Sequence, residues 1–191
     1  MKFKLILKIC LVILMLIYPA FIYFGLNHFN VRWLALMILA LMSVRAIMLP
    51  NTQRRQAIGL IAIGIIVGGL TFIFNDPVYL RFYPVLMSIL MLGIFLISLA
   101  FPPTVIEVFA RIGFKGRSMP EFVITYTRSV TKIWCGFFVF NACIATLTIF
   151  ASWERWALYN GFISYILMGF LFAGEFAYRH LIVKKRHPDE V

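Results

Sequence analysis

Apolar stretches of about 20 residues recur along the chain, and short segments carrying most of its charge separate them. As an α-helix, a stretch of this length spans the ~30 Å hydrocarbon core of a bilayer. Because 63% of the 191 residues are hydrophobic and only 13% are charged, a soluble domain could not keep its apolar surface from water. The pattern excludes a soluble enzyme, a nucleic-acid-binding domain and a disordered chain. It predicts an all-α, polytopic membrane protein.

We predict six transmembrane helices, arranged as three in-out-in hairpins within a single integral membrane domain over residues 1–191. The spans are placed at about 7–26, 31–49, 57–74, 82–101, 130–150 and 157–178. The first span is interpreted as a retained helix and not a signal peptide, because no small-x-small cleavage site follows it.

The distribution of basic residues predicts the orientation. With these spans, fifteen of the 18 Lys and Arg residues fall on one side, and three, Arg32, Arg81 and Arg155, fall on the other. The positive-inside rule therefore predicts that both termini are cytoplasmic. The net charge of +11 is then a topology signal that also attracts anionic lipid headgroups, at about 1 kcal/mol per basic residue near the surface. It gives no reason to expect a nucleic-acid partner.

The longest loop is predicted to contain a short amphipathic helix at about 104–112. Thr104 and Glu107 form a capping-box pattern, and Glu107 and Arg111 lie four residues apart, where a helix brings them together. Apolar residues supply the other face, so we expect the helix to lie along the cytoplasmic membrane surface.

A second helix is predicted to restart around Pro120 and to continue into span five. Two interpretations of the whole segment 102–129 stay open. It is either a connector that keeps its apolar side out of water or a docking site for protein partners.

Four polar side chains are predicted to lie at membrane depth: Arg45, Lys132, Asn141 and Glu175. A charge in hydrocarbon costs a few kcal/mol, so each needs a partner or a route to the headgroups. We predict that Glu175 pairs with Arg45 or with Lys132, the alternative for the cations being extension to the headgroups. Asn141 is predicted to hydrogen-bond to a neighbouring helix, and a role in transport is the alternative.

On the outer side, Asn75 and Asp76 are predicted to close the turn between spans three and four, and Asn160 to mark the opposite outer turn among aromatic residues. Sequence motifs of hydrolases, zinc proteases and nucleotide-binding loops do not occur, and the three histidines do not share a site. The sequence therefore predicts no catalytic site, no cofactor and no metal site.

Several runs resemble the bacterial intracellular septation protein A family. They are the Gly-Gly-Leu-Thr helix end at 68–71, the Asn-Asp turn at 75–76 and the aromatic entry into the next helix at 82–84. Tyr83 stands where that family has a lysine, which puts any role of that lysine in doubt here.

The chain more closely resembles a group of uncharacterised bacterial membrane proteins from gene neighbourhoods for aryl polyene or fatty-acid-like synthesis. The runs that carry this likeness are 101–107, 126–128, 130–135 and 156–161. The resemblance implies a multi-pass inner-membrane protein that supports envelope or lipid homeostasis or a membrane-associated biosynthetic assembly. Together with the missing catalytic motifs, this predicts a non-catalytic protein. The alternative is a small transporter or flippase-like carrier of a lipid or hydrophobic metabolite, acting as an oligomer.

Overall fold

The computed structural model describes residues 25, 30–48, 51–114 and 118–183, without the side chains at 38, 41, 42, 45–48, 51–57, 60, 182 and 183. Across these residues the chain is helical and contains no strand, which confirms the all-α prediction for this part. The predicted first span, 7–26, lies almost entirely outside the described residues.

The described α-helices, in chain order, are α1 Val31–Met48, α2 Asn51–Phe74, α3 Tyr83–Ala100, α4 Val105–Phe114, α5 Glu121–Ile149, α6 Trp153–Leu158 and α7 Ser164–Tyr178. A 3₁₀ turn, Pro77–Phe82, leads directly into α3. Two π-helical turns, Tyr159–Ile163 and Arg179–Val183, follow α6 and α7, so that the backbone stays helical beyond each of them.

Three helical stretches among the described residues are long and apolar enough to cross a membrane: Pro77–Ala100, Glu121–Ile149 and Trp153–Leu181. They contain 24, 29 and 29 residues. At 1.5 Å per residue they extend about 36 to 44 Å, more than the ~30 Å hydrocarbon core. Ile61–Phe74 is a shorter apolar helix. The protein is therefore a membrane protein.

The observed helix ends differ from the predicted spans mainly on the basic side. Helix α2 begins at Asn51, six residues before the predicted 57–74, and α5 begins at Glu121, well before the predicted 130–150. The early start of α5 confirms the predicted restart around Pro120, whose carbonyl accepts hydrogen bonds from Val123 and Ile124. A helix can extend beyond the hydrocarbon core. The apolar stretch of the sequence therefore locates only the part of the helix within the hydrocarbon, and it misses the polar first turns.

The distribution of buried side chains is the reverse of that in a soluble protein. Large apolar side chains such as Phe150 and Phe170 are exposed, whereas hydroxyl, amide and charged side chains are buried. Some hydroxyl groups bond to the carbonyl one turn earlier, as in the 2.7 Å bond from Thr71 Oγ1 to Val67 O. Lipid solvates the apolar exterior, and polar groups find partners inside because hydrocarbon offers none.

The chain divides into two compact units, each with its own core. The first unit comprises Met1–Met87 and Ala142–Ser164, and the second comprises Ser88–Asn141 and Tyr165–Val191. The core of the first unit is formed by Val67, Leu80 and Trp156. The core of the second unit is largely aromatic, and its buried members are Phe95, Val130, Trp134, Cys135 and Phe138.

Close packing in the first unit requires a glycine at position 68. A Cβ atom there would lie 2.9 Å from Leu39 Cγ, whereas a Cβ at Gly69 would meet no atom within 4 Å. Gly68 therefore lets α1 approach α2, as small residues do between membrane helices.

The short helix α4 forms where it was predicted, and its capping box is present. The Glu107 N–H donates to Thr104 Oγ1, and the Thr104 N–H donates to Glu107 Oε2; the donor–acceptor distance is 3.3 Å in both bonds. Glu107 Oε1 also lies 2.6 Å from Arg111 NH2. These bonds satisfy donors that the first turn of a helix leaves free, and they place Glu107 against the protein.

Candidate functional site

Of the four polar residues predicted at membrane depth, the three whose side chains the structure describes do not form a single cluster. The side chain of Arg45, on α1, is outside the described residues. Lys132 is exposed on α5, while Asn141 and Glu175 are partly buried on α5 and α7. The predicted ion pair between Lys132 and Glu175 is not formed, because Glu175 pairs with Arg179 of its own helical stretch.

Glu175 is held by a residue that the sequence did not single out. The Tyr126 hydroxyl donates a 3.0 Å hydrogen bond to Glu175 Oε1, joining α5 to α7. Arg179 Nε lies 3.2 Å from the same oxygen as an ion-pair contact, and the Tyr126 and Tyr178 rings stack with centroids 6.2 Å apart. An i,i+4 ion pair contributes about 0.3–0.5 kcal/mol, against roughly 1.5–3 kcal/mol for a hydrogen bond to a charged group. Tyr126 is therefore the principal partner.

Helix geometry explains why Lys132 has no part in this cluster. Lys132 follows Tyr126 by six residues, which turns its side chain about 240° around α5 from the face that meets Glu175. Two residues at similar depth in the membrane therefore do not necessarily pair. The rotation of each helix about its axis determines which cation reaches the Glu175 carboxylate.

Asn141 joins α5 to α3 in the second unit. Its Nδ2 donates a 2.9 Å hydrogen bond to Ser88 Oγ, and Ser88 is buried. An amide within an apolar helix thus has a polar partner on the neighbouring helix, where such bonds contribute about 0.6 kcal/mol on average.

Arg81 is the main polar feature that sequence reasoning missed, since it was counted only as an outer-loop cation. Its side chain is 9% exposed, and its NH1 donates to the carbonyls of Ile149 and, at 2.7 Å, Ala151. The guanidinium carbon lies 4.0 Å from the centroid of the Trp153 ring. The one available signal was a lone cation inside the apolar run 78–85.

The chemistry of Arg81 is that of a helix C-terminal cap. The last carbonyls of a helix lack intrahelical donors and carry the negative end of the helix dipole. Arg81 supplies both donors and positive charge at the end of α5, and the ring face of Trp153 stabilises the cation further. The Arg81 carbonyl in turn accepts a 3.2 Å bond from Trp156 Nε1.

Asn75 and Asp76 occupy the predicted turn after α2. Asn75 has a left-handed backbone with φ of 52°, a conformation that asparagine tolerates better than most residues. Asp76 Oδ1 accepts a 2.8 Å bond from the Val78 N–H and so caps the following 3₁₀ turn.

Asn160 lies in the π-helical turn Tyr159–Ile163, within the predicted span 157–178, and is 4% exposed. Its Nδ2 donates to Trp156 O at 2.9 Å and to Thr148 Oγ1 at 3.0 Å, which ties this turn to the end of α5.

The described residues include no group of three or more His, Cys, Asp or Glu side chains arranged to hold a metal ion. Comparison of the chain with protein-family models, curated proteins and solved structures gives no match.

Replacing Arg81 should destabilise the protein in a graded way. We expect Arg81→Ala to cost on the order of 3 kcal/mol, because it removes charge-assisted bonds to two carbonyls and the contact with Trp153. Arg81→Lys should cost less, since an ammonium still donates but lacks the planar face. Thermal unfolding in detergent, followed by loss of helical circular dichroism, measures the order. The exposed Arg155 is the matched control, and Arg155→Ala should stay within about 0.5 kcal/mol. Equal effects at the two arginines would contradict the capping role.

A double-mutant cycle tests the partner of Glu175. Tyr126→Phe and Glu175→Ala should show a coupling energy of about 1.5–3 kcal/mol, because each removes the same hydrogen bond to a charged group. Lys132→Gln should instead be additive with Glu175→Ala, within about 0.5 kcal/mol. Coupling of Glu175 to Lys132, without coupling to Tyr126, would show that the carboxylate has the partner predicted from sequence.

Proposed function

We propose that the chain crosses a bacterial inner membrane six times, with both termini in the cytoplasm. The proposed crossings are the three membrane-length helices, α1, about 27 Å long at 1.5 Å per residue, the apolar part of α2, Ile61–Phe74, and the apolar sequence stretch 7–26, which lies almost entirely outside the described residues. The basic residues add support, because fifteen of 18 fall on the side assigned to the cytoplasm.

Cysteine labelling in intact cells tests this topology. In a chain with its natural cysteines replaced by alanine, Ser118→Cys should resist a membrane-impermeant maleimide until the cells are opened, whereas Asp76→Cys should react at once. Both native residues are exposed. Labelling of Ser118→Cys in intact cells, with Asp76→Cys protected, would mean the opposite orientation. Labelling of both would mean that α3 does not cross the membrane.

We propose that the protein is a non-catalytic organiser that supports cell-envelope or lipid homeostasis or a membrane-associated biosynthetic assembly. The sequence resemblance to septation protein A and to the membrane proteins of aryl polyene loci supports a role in the cell envelope or in such an assembly. The segment 102–129, together with the cytoplasmic cations, is the proposed contact region for protein partners.

The observation that carries the proposal is the pairing of polar side chains within the apolar helices. Asn141 bonds to Ser88, and Glu175 bonds to Tyr126 and pairs with Arg179. These groups therefore hold helices together and are not directed at a substrate. Cations available for recognition lie instead on the exposed surface of the basic side, as Arg128 does.

A carrier of lipid or hydrophobic metabolite is the second candidate, and one observation favours it. Arg81 Nε and Asn160 Oδ1 are buried and have no partner among the described residues. Unpaired polar atoms of this kind can receive the polar end of a cargo. A buried water on each would satisfy them equally well, and Asn141, on which the carrier interpretation depended, already bonds to Ser88.

Extraction of the tagged chain with its native lipid, followed by mass spectrometry of what accompanies it, separates the two functions. For an organiser we expect a recurrent protein partner that is lost with Lys115→Glu combined with Arg117→Glu. The matched control is Arg155→Glu, a cation on the proposed outer side, which should retain the partner.

A recurrent lipid or polyene without a protein partner would favour the carrier. To distinguish cargo from ordinary boundary lipid, the recovery should fall with Asn160→Ala and stay unchanged with Arg155→Glu. Loss of a protein partner in Arg155→Glu but not in the variant at 115 and 117 would contradict the proposed contact region.

A further inference from the structure

Helix α4 buries its acidic residue and exposes its apolar side, which is the reverse of an amphipathic helix in water. Glu107 is 3% exposed, whereas Val108, Phe109 and Ile112 are 47%, 66% and 72% exposed. At 100° per residue, the three apolar side chains share one face of the helix, within about 100° of each other. This helix therefore presents a continuous apolar strip on the surface of the second unit.

The inverted orientation is fixed by specific contacts and is not an accident of one side chain. Val105 and Ile106 pack against the aromatic core of the second unit. Glu107 bonds to the Thr104 backbone and to Arg111, and the Val105 N–H donates to Ser98 Oγ at 3.2 Å. If α4 rotated so that the apolar strip faced the protein, these bonds would break and the Glu107 carboxylate would be exposed. The strip therefore stays on the outside, where only another molecule can shield it from water.

The position of α4 along the chain identifies a bilayer as the nearest cover. The segment 101–120 joins the membrane-length stretch that ends at Ala100 to the one that begins at Glu121. A connector between two membrane-crossing helices leaves and re-enters the same leaflet, so both of its ends lie at one interface. Phe101, which follows the first stretch directly, is also exposed, at 75%.

Charge on the connector matches a lipid surface that carries anionic headgroups. Residues 101–120 contain three cations and one carboxylate. The carboxylate, Glu107, is buried and neutralised by Arg111, so it does not oppose an anionic surface. The side chain of Arg111 remains 56% exposed, and Arg128 is exposed on the adjoining first turns of α5.

We propose that the lipid bilayer itself covers this strip: α4 lies in the headgroup–acyl boundary of the leaflet at which α3 ends and α5 begins. Val108, Phe109 and Ile112 enter that boundary, and the cations lie among anionic headgroups. Because the capping box orders α4 beforehand, the helix meets the lipid already folded. The inference uses only the membrane crossing of the flanking helices and does not depend on the organiser function.

Photocrosslinking in the native membrane tests the proposal with one substitution at a time. Phe109→p-benzoylphenylalanine, and separately Ile112→p-benzoylphenylalanine, should yield lipid adducts on the otherwise natural full-length chain after illumination. Ile89, exposed on α3 in the middle of a membrane-length stretch, is the positive control, and the exposed Ser118 is the aqueous control. Intact-mass and lipid mass spectrometry identify the adducts.

We expect lipid adducts at 109 and 112 in yields like that at 89, with phosphatidylglycerol enriched over phosphatidylethanolamine at least about twofold relative to position 89. Yields as low as at 118 would mean that water covers the strip, and a crosslink to protein would mean that a partner or a second copy does. Either result overturns the proposal. Equal lipid compositions at 89 and 112 would contradict the charge complementarity on which the choice of anionic lipid rests.

Discussion

The guanidinium of Arg81 binds the carbonyls of Ile149, the last residue of α5, and of Ala151 just beyond it, while its face lies on Trp153, and the first unit is organised around this contact. Leu80, the preceding residue, is completely buried against Val67 and Trp156. One short turn thereby joins α2, the start of α3, the end of α5 and α6. Apolar contact alone would hold these helices loosely, because lipid tails solvate apolar side chains as well as another helix does. The directed bonds of Arg81 select one arrangement.

The same constraint explains the polar pairs of the second unit. In hydrocarbon, an amide, carboxylate or hydroxyl group without a partner is costly, so each one present in an apolar helix must be bonded inside the protein. Asn141 with Ser88 and Tyr126 with Glu175 meet this requirement between helices, and Thr131 meets it within its own helix. Polar residues bonded in this way stabilise contacts between and within helices.

Local features of the fold could be predicted because they depend on neighbours in sequence. The capping box of Thr104 and Glu107, the restart of a helix near Pro120 and the turn at Asn75 and Asp76 each involve residues within about four positions of one another. The partner of Glu175 could not be predicted in the same way. Lys132 has suitable charge and depth, but it points to another side of α5. The burial of Asn160 has a related origin, because the helical backbone continues through its π turn and the side chain bonds to Thr148 near the end of α5.

By itself, the sequence determined that the chain is a membrane protein and approximately which residues form its described helices. It also determined how α4 and the turn at Asn75 and Asp76 begin. Those properties follow from apolar length, capping residues and backbone preference, which act over a few residues. Only the tertiary structure decided which polar groups meet. The bonds of Tyr126 to Glu175 and of Trp156 to Arg81 join residues 49 and 75 positions apart. Such pairs depend on how whole helices face each other, and a turn of 100° per residue moves a side chain to a different neighbour with every step.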